Sequence, residues 1–541
     1  MSKPNPQAAQ APAAQVQTLL QAFNQGLGPH AEQLATQIVQ RFPATAVAQS
    51  VLAALLAQRG AMAQALPHFD AAAQLQPKVA EVQFNLALAL VSLQRHADAV
   101  IAYQRGLRLK PGAVVAHFNL GAAFQALGQL ADAARCYQRA ADLQPGYAEA
   151  WGNLGAVQQL QGQLDAAINA YRRALDIPDQ SAAVQARLQM SLGSALHNQG
   201  SLDLAIAAYQ QALHLQSGLA EAHDRLGAAL RAQGNSERAV AHFRQALQLQ
   251  PTLGSAHHHL AVFLQDSGDH AAAAVHFRQT GNRQDTDRAL YCLYKAREFA
   301  QWRSELALRL QQPDAHHSPM LATLSAHHAV NFGTDDPVRF CPQPLQHILH
   351  VGLPELRPGS ALLRDLLQAI ANTAMAERKQ GRLHNGTQSA GNLFRRSDPP
   401  IQALAALVRD QVAHYRQQFA ASPCTLIEAF PHQPDFMSSW FISMRQGGHL
   451  TSHIHEEGWI SGCVYLAMPD TPPGQLDGSI EFSTDGDDHP RLGQDFPVCT
   501  ITPAVGDLVL FPSSLFHRTL PYQSDQLRIC VAFDIGPGRG R

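Results

Sequence analysis

The sequence predicts a multidomain protein in which an all-α helical solenoid precedes an α+β domain with a small sandwich or barrel of strands. A 34-residue repeat in the first half indicates the solenoid, and clustered strand-like segments near the C-terminus indicate the second domain. The length of 541 residues exceeds what one hydrophobic core organises. A formal net charge of −2 and the lack of a membrane-spanning apolar run predict neither nucleic acid nor a membrane as partner.

Residues 1–15 contain a lone lysine and no apolar core, so we expect a disordered tail rather than a secretion signal. The seven cysteines are scattered and include no C-x-x-C pair. This usage favours a reducing, cytoplasmic location and argues against a cysteine zinc site.

Four series of residues keep the same spacing through the first half of the chain. The aromatic series is Phe69, Tyr103, Tyr137, Tyr171, Tyr209, Phe243 and Phe277, and an alanine stands four residues before each member. Glycines and prolines follow the same step, and Gln94 stands at the one place where the glycine is missing. The glycine ends a first helix, the alanine lets a second helix approach closely, the aromatic ring fills the gap and the proline stops the second helix. The pattern predicts stacked helix pairs.

The segment AWGNLGAVQQLQGQLDAAINAYRRALDIP (150–178) resembles the tetratricopeptide repeat. The resemblance covers residues 16–281, about eight units in all, the first of them degenerate with Gly26, Ala31 and Pro43 in phase. It implies a solenoid whose concave face binds a protein or peptide. The alternative is a solenoid that binds no partner and serves only as a spacer or a dimerisation element for the second domain.

We interpret residues 282–335 as a helical cap or linker of the solenoid. Residues 336–541 are predicted to form the second domain. Its strand core is expected at about 434–536, where SSWFISMR, WISGCVYLAMP, SIEFST, DLVLFP and LRICVAFDI are separated by Gly, Pro and Asp. Helices followed by clustered strands are typical of the α+β class.

A candidate metal site lies in HLTSHIHEEGWISGCVYL (449–466). Alternate side chains of an extended segment share a face, so His453 and His455 would point together. Glu457 would join them only if the strand continued past Gly458. His517 ends a later strand-like segment. Three ligands on one face suit non-haem iron, and Arg528 offers a planar fork of donors to a dicarboxylic cosubstrate.

The segments HIHEEGWISGCVYLAMP and PAVGDLVLFPSSLFHRTLPYQSDQLRICVAFDI resemble the iron(II)- and 2-oxoglutarate-dependent dioxygenases. The resemblance implies a double-stranded β-helix, or jelly roll, with Fe(2+) and 2-oxoglutarate as cofactors. By position, His453 and His517 correspond to iron ligands, Arg528 to the anchor of the 2-oxoglutarate carboxylate and Tyr465 to the wall of the cosubstrate pocket.

The identity of the second metal ligand, between His453 and His517 in the sequence, is undecided at this point. Much of the superfamily has H-x-D, and the spacing to Tyr465 favours His455 in this position. Glu457 is the alternative ligand, and a third arrangement has two protein ligands with water in the third place.

The function predicted is hydroxylation of a protein or peptide recruited by the repeats. A cupin-like metal protein that does not use 2-oxoglutarate is one alternative, although Trp459 and Ile460 stand where the cupin motif has a glutamate. A tetratricopeptide scaffold with a silent oxygenase-like domain is the other.

Overall fold

A computed structural model of the chain describes residues 10–372, 381–430, 435–456, 458–470, 472 and 474–536. The chain divides into two compact units, Met1–Ala256 (the repeat unit) and His257–Arg541 (the strand unit). Within the described ranges, no helix combines the length and the apolarity needed to cross a bilayer.

The repeat unit consists of antiparallel helix pairs. Its helices are α1 (Ala13–Asn24), α2 (Gly28–Arg41), α3 (Ala46–Gln58), α4 (Met62–Leu75), α5 (Ala80–Ser92), α6 (His96–Leu109), α7 (Val114–Ala126), α8 (Leu130–Leu143), α9 (Ala148–Leu160), α10 (Leu164–Leu175), α11 (Ala182–Gln199), α12 (Leu202–Leu215), α13 (Ala220–Ala232) and α14 (Ser236–Leu249). Helix α15 (Gly254–Asp266) follows. The predicted degenerate first repeat is a helix pair, α1 and α2. Helix α1 begins inside the segment expected to be a tail, and residues 1–9 lie outside the described residues.

Each predicted series has the expected place in these pairs. The aromatic residues of the second helices and the alanines before them are buried. The turn after the first helix contains a residue with positive φ, as in Gly128 (72°), and Gln94, at the one place of the series without glycine, has φ of 59°. A further series was not predicted. A Cβ on Gly121 or Gly155 would stand 2.9 Å from the ring of Tyr137 or Tyr171, respectively. Glycine in the first helix therefore admits the aromatic ring of the second.

The strand unit begins with helices and continues into strands. Its helices after α15 are α16 (His270–Arg278), α17 (Arg283–Lys295), α18 (Phe299–Arg309), α19 (Pro319–Phe332), α20 (Ala361–Ala371), α21 (Pro399–Gln418) and α22 (Thr425–Glu428). Its strands are β1 (Leu349–Gly352), β2 (Leu383–Gln388), β3 (Asp435–Leu450), β4 (Ile460–Ala467), β5 (Ile480–Ser483), β6 (Val498–Ile501), β7 (Asp507–Pro512), β8 (Phe516–Thr519) and β9 (Arg528–Gly536).

The strands form two antiparallel sheets. The larger has the order β1-β7-β4-β9-β3-β2 and the smaller the order β6-β5-β8. Helical repeats followed by this β-rich region confirm the predicted fold class. The jelly-roll topology stays a prediction. The two antiparallel sheets are compatible with it.

The central strands of the larger sheet, β4, β7 and β9, are buried on both faces, and their side chains alternate between two apolar clusters. In β9, Val531 and Phe533 join the cluster that includes α19, α20 and α21. Cys530 and Ala532 join a second cluster that includes Phe482 of β5 in the smaller sheet. The second cluster, which we call the inter-sheet core, also contains Met444, Tyr465 and Phe511.

Candidate metal centre

Three imidazoles meet where the chain leaves β3 and where β8 begins. A ligand nitrogen from each of His453, His455 and His517 lies within 4.8 Å of the other two. The ring centroids of His453 and His517 are 4.3 Å apart, and that of His455 lies 5.3 and 5.0 Å from them. The structure thus brings together the three histidines that the sequence singled out. Glu457, the alternative ligand, lies outside the described residues.

Backbone hydrogen bonds between distant segments hold the main chain of all three histidines in place. The His453 N–H donates to the His517 carbonyl at 3.1 Å, and the His517 N–H donates back at 3.0 Å. The N–H of His455 donates to the carbonyl of Ser513 at 3.2 Å. This antiparallel bridge holds the H-x-H segment against the start of β8, which explains why a spacing so long in sequence gives a compact cluster.

In all three rings, Nδ1 already has a hydrogen-bond partner. Nδ1 of His453 lies 2.8 Å from the Thr451 carbonyl oxygen, and that of His517 lies 3.3 Å from the Leu515 carbonyl oxygen. Nδ1 of His455 contacts a carboxylate oxygen of Asp534. Such partners place the proton on Nδ1 and leave the Nε2 lone pair for a metal.

Asp534 is a site residue that the sequence analysis missed. One oxygen accepts from Ser461 at 2.8 Å besides contacting His455, and the other accepts from Ser438 at 2.7 Å. Burial raises the pKa of the Asp534 carboxyl, but the His455 ring and these hydrogen bonds outweigh it, so the pKa is lowered overall. Its sequence signal was an acid inside the apolar segment CVAFDI, where an unpaired carboxylate would be costly.

Burial also favours the uncharged form of two of the imidazoles, those of His453 and His517. Desolvation, with the neighbouring His455 second, lowers the pKa of His453 to about 4. The pKa of His517 is lowered well below its usual value for the same reasons, with His453 the nearest like group. Metal ligation requires neutral imidazole, so this pocket is prepared for a cation at neutral pH.

Arg528 is buried, with 2% of its surface exposed, at the start of β9. Its Nε donates to the Gly478 carbonyl at 3.0 Å, and its guanidinium carbon lies 5.1 Å from the centre of the Tyr465 ring. Among the described residues, no carboxylate pairs with this guanidinium. Its Nη1 also contacts the Cys530 sulfur at 3.6 Å and the Met444 sulfur at 4.0 Å. A buried guanidinium that has weak sulfur acceptors but no carboxylate partner favours an anionic ligand.

Tyr465 has an unused polar group beside that arginine. Its hydroxyl is buried and meets no acceptor or donor with good hydrogen-bond geometry among the described residues, with the Arg528 guanidinium beside the ring. Burial raises the pKa of Tyr465 well above its usual value, so the hydroxyl stays a donor. An anion bound at Arg528 would find a second donor here.

The arginine and the histidines border the same inter-sheet core. Phe511, 4.7 Å from the His517 ring centre, belongs to that core together with Tyr465 and Cys530. Arg528 and Asp534 lie on the same face of β9 because residues an even number of positions apart share a face. The face between them carries Cys530 and Ala532.

Other residues near the motif have structural partners. Arg518, next to His517, is half exposed and donates to Glu481 at 2.6 Å. Asp507 accepts from the N–H of Ala504 at 2.9 Å in the turn before β7. Trp440, which the sequence analysis did not select, packs 5.7 Å from the His455 ring.

Comparison with family models agrees with this division of the chain. Residues 438–534 match the family described as "Putative 2OG-Fe(II) oxygenase". Tetratricopeptide repeat models match residues 63–114, 113–180, 193–234 and 220–253. The suspected combination of tetratricopeptide repeats with a domain of this oxygenase family is therefore confirmed.

Similar solved structures match parts of the chain. MamA is 25% identical, with a TM-score of 0.30, and the match covers 32% of this chain and 92% of MamA. The C-terminal part of a repeat-containing protein from Cytophaga hutchinsonii is 16% identical, with a TM-score of 0.37 and coverage of 44% and 97%. YrrB, described as a TPR protein with an unusual peptide-binding site, is 22% identical, with a TM-score of 0.31 and coverage of 35% and 95%. A comparison with curated proteins finds no similar sequence.

The residues present fit the cofactors that this oxygenase family implies. Three imidazoles whose Nδ1 atoms already have partners offer Nε2 to a divalent transition metal. Arg528 and the Tyr465 hydroxyl, which have no carboxylate partner among the described residues, suit a carboxylate of 2-oxoglutarate.

Proposed function

We propose that the strand unit is an iron(II)- and 2-oxoglutarate-dependent dioxygenase that hydroxylates a protein or peptide recruited by the repeat unit. The observation that carries the proposal is a three-imidazole pocket together with a buried arginine on the same inter-sheet core, which pairs with no carboxylate of the described residues. A histidine pocket alone would suit several metal proteins. The arginine adds the requirement for an anionic ligand.

His453, His455 and His517 would hold iron through their Nε2 atoms. Three protein ligands on one face leave positions for a cosubstrate and oxygen. Asp534 would keep the His455 ring oriented and its proton on Nδ1. Because all three ligands are neutral, the bound cation keeps its full charge and attracts an anionic cosubstrate more strongly than it would beside a carboxylate.

Arg528 and Tyr465 would bind the far carboxylate of 2-oxoglutarate. The aromatic rings of Phe482 and Phe511 border the His517 ring at 6.4 and 4.7 Å and would keep water from that side of the pocket. Iron(II), 2-oxoglutarate and oxygen together supply the oxidising chemistry that inserts one oxygen atom into a substrate C–H bond and releases succinate and carbon dioxide.

The substrate class is argued from the repeats. Stacked tetratricopeptide units offer a long concave surface suited to an extended peptide or a protein segment. We therefore assign recognition of the substrate to the repeat unit and oxidation to the strand unit. A cytoplasmic location belongs to the same proposal, supported by seven cysteines that are all free.

An anaerobic titration with iron(II) and 2-oxoglutarate tests the proposal. We expect a visible metal-to-ligand charge-transfer band, succinate formation once oxygen is admitted, and loss of both in His517→Ala. His449→Ala is the matched control, because His449 stacks on His384 at 4.5 Å and belongs to no ligand cluster among the described residues. Metal binding without any effect of 2-oxoglutarate would favour the cupin-like alternative, and failure to bind iron would favour a scaffold.

A further inference from the structure

A second group of metal-ligating side chains lies in the strand unit. Cys341, His347 and Cys424 are all buried, with exposed fractions of 2%, 7% and 1%. One ligand atom from each lies within 4.8 Å of the other two. None of these residues belongs to the iron pocket or to the segment 438–534 that matches the oxygenase family.

The fold brings the two cysteines together through backbone pairing. The Thr425 N–H donates to the Arg339 carbonyl at 2.7 Å, and the Leu426 N–H donates to the Phe340 carbonyl at 2.9 Å. Cys341 directly follows the first of these segments and Cys424 directly precedes the second. Their proximity is thus fixed by main-chain hydrogen bonds rather than by a chance contact of side chains.

His347 is oriented as a metal ligand would be. Its Nδ1 lies 3.0 Å from the Gln343 carbonyl oxygen, which places the proton there and the lone pair on Nε2. Nε2 lies 4.0 Å from the Cys424 sulfur and 2.7 Å from the Ser422 hydroxyl oxygen. The Tyr415 hydroxyl donates to the His347 carbonyl at 2.7 Å and fixes the backbone on the other side.

A fourth polar group borders this cluster. The Ser422 hydroxyl oxygen lies 3.6 Å from the Cys424 sulfur, so an oxygen stands beside the group of one nitrogen and two sulfurs. Zinc bonds of about 2.3 Å to sulfur and about 2.1 Å to nitrogen place those atoms roughly 3.6 Å apart. Closing the observed sulfur–nitrogen separation to that value needs a shift of a few tenths of an ångström.

We propose that Cys341, His347 and Cys424 bind a structural zinc ion, with the Ser422 hydroxyl or a water held by it as the fourth ligand. Two sulfurs and an imidazole form a soft ligand set that selects zinc over the hard cations. Burial of all three side chains leaves no room for a substrate, which makes the role structural. The ion would link the segment preceding β1 to the chain that follows α21.

Metal content of the full-length protein tests this proposal. We expect one zinc per chain by mass spectrometry of the elements in the His453→Ala/His517→Ala double variant, in which the three-imidazole pocket can no longer hold zinc. In that background, zinc should be lost when Cys341→Ser/Cys424→Ser is added and kept when Cys292→Ser is added, a control in which another buried thiol is removed. Zinc missing from the double variant, or kept when both cysteines are also replaced, would overturn the proposal.

Cobalt substitution tests the wild type directly, should the double cysteine variant fail to fold. Cobalt(II) at this site should give an intense near-ultraviolet thiolate charge-transfer band, which the all-histidine iron pocket cannot give. A cobalt spectrum without that band, or an intact mass that shows a Cys341–Cys424 disulfide in anaerobically purified protein, would overturn the proposal. The two ligand sets share no residue, so the iron proposal stands or fails separately.

Discussion

The repeat unit and the strand unit use contacts of very different sequence range. In the repeat unit, Tyr171 donates to Gln159, 12 residues away, and its ring packs on Gly155 of the neighbouring helix. In the strand unit, His455 contacts Asp534, 79 residues away, and Ser461 donates to the same carboxylate from 73 residues away. The first unit repeats one local solution, whereas the second assembles one site from distant segments.

This difference predicts how far the effect of a disruptive substitution spreads in each unit. A disruptive substitution in one repeat affects that repeat and its neighbours, because stability in a solenoid is nearly a sum of local terms. A disruptive substitution around the histidines affects the whole pocket, because no second copy of the pocket exists to replace it among the described residues. The following predictions test the contrast, from the largest expected effect to the smallest.

Arg528→Met should produce the largest change in ligand binding. The substitution removes the buried guanidinium but keeps an unbranched side chain in the inter-sheet core, so we expect 2-oxoglutarate affinity to fall by about 100-fold or more. Iron affinity should remain. Isothermal titration calorimetry with each ligand measures both effects, and Arg518→Met, which removes a half-exposed arginine, is the control. Unchanged 2-oxoglutarate affinity would contradict the assigned role of Arg528.

Asp534→Asn should weaken the metal centre without emptying it. Loss of the carboxylate removes the partner that orients His455, and changes of this kind cost about 10- to 100-fold in metal affinity. Competition with a chelator of known affinity gives the value. Asp507→Asn is the matched control, because Asp507 also pairs with a histidine, His350, at 2.8 Å outside the pocket. Equal losses in both variants would show a general effect on the fold.

Gly155→Leu should destabilise the repeat unit and leave the iron pocket intact. A Cβ at this position stands 2.9 Å from the Tyr171 ring, and overpacking of this kind costs about 1–3 kcal/mol. Gly146→Leu is the control, because a Cβ there meets no atom within 4 Å. Urea unfolding measures the loss of stability and an iron titration the pocket. A parallel loss of iron affinity would contradict the independence of the two units.

Mild acid should loosen the strand unit before the repeat unit. Burial, followed by the charge of Arg303, lowers the pKa of His328 to about 4, and burial lowers that of His489 well below its usual value. Both rings are neutral when folded and protonate near pH 6.5 when unfolded, so the unfolded state binds more protons between about pH 6.5 and 4. Stability contributed by these rings is therefore present above that window and is lost as the pH falls through it.

Hydrogen exchange at several pH values separates the two units in this test. We expect amides of α19, which carries His328, to lose protection on acidification before those of α7–α10. His328→Phe should reduce this dependence because Trp302 and Phe332 already stack on the ring, at 4.7 and 4.4 Å. His214→Phe, at an exposed position, should not. Simultaneous loss of protection in both units would contradict the prediction.

The repeat architecture could be predicted from the sequence because its determinants recur at a fixed period. The aromatic and alanine series, and even Gln94 at the left-handed position, have the places expected for them. The glycine of the first helix that faces each aromatic ring was missed. Its series, which includes Gly121 and Gly155, is visible in the sequence, but the contact it makes crosses from one helix to the next.

The sequence by itself determined the repeats and the α+β class of the second domain, and it singled out three histidines while Glu457 stayed open as an alternative ligand, because periodicity and the H-x-H spacing are local properties of the chain. Only the tertiary structure decided that Asp534 contacts His455 and that Arg528 is buried with no carboxylate partner in the part of the chain that the structure describes. It also gathered Cys341 and Cys424 beside His347, although their scatter in the sequence had argued against a cysteine zinc site. The physical reason is that these relations arise from strand pairing and backbone contacts between segments far apart in the chain, which no local pattern encodes.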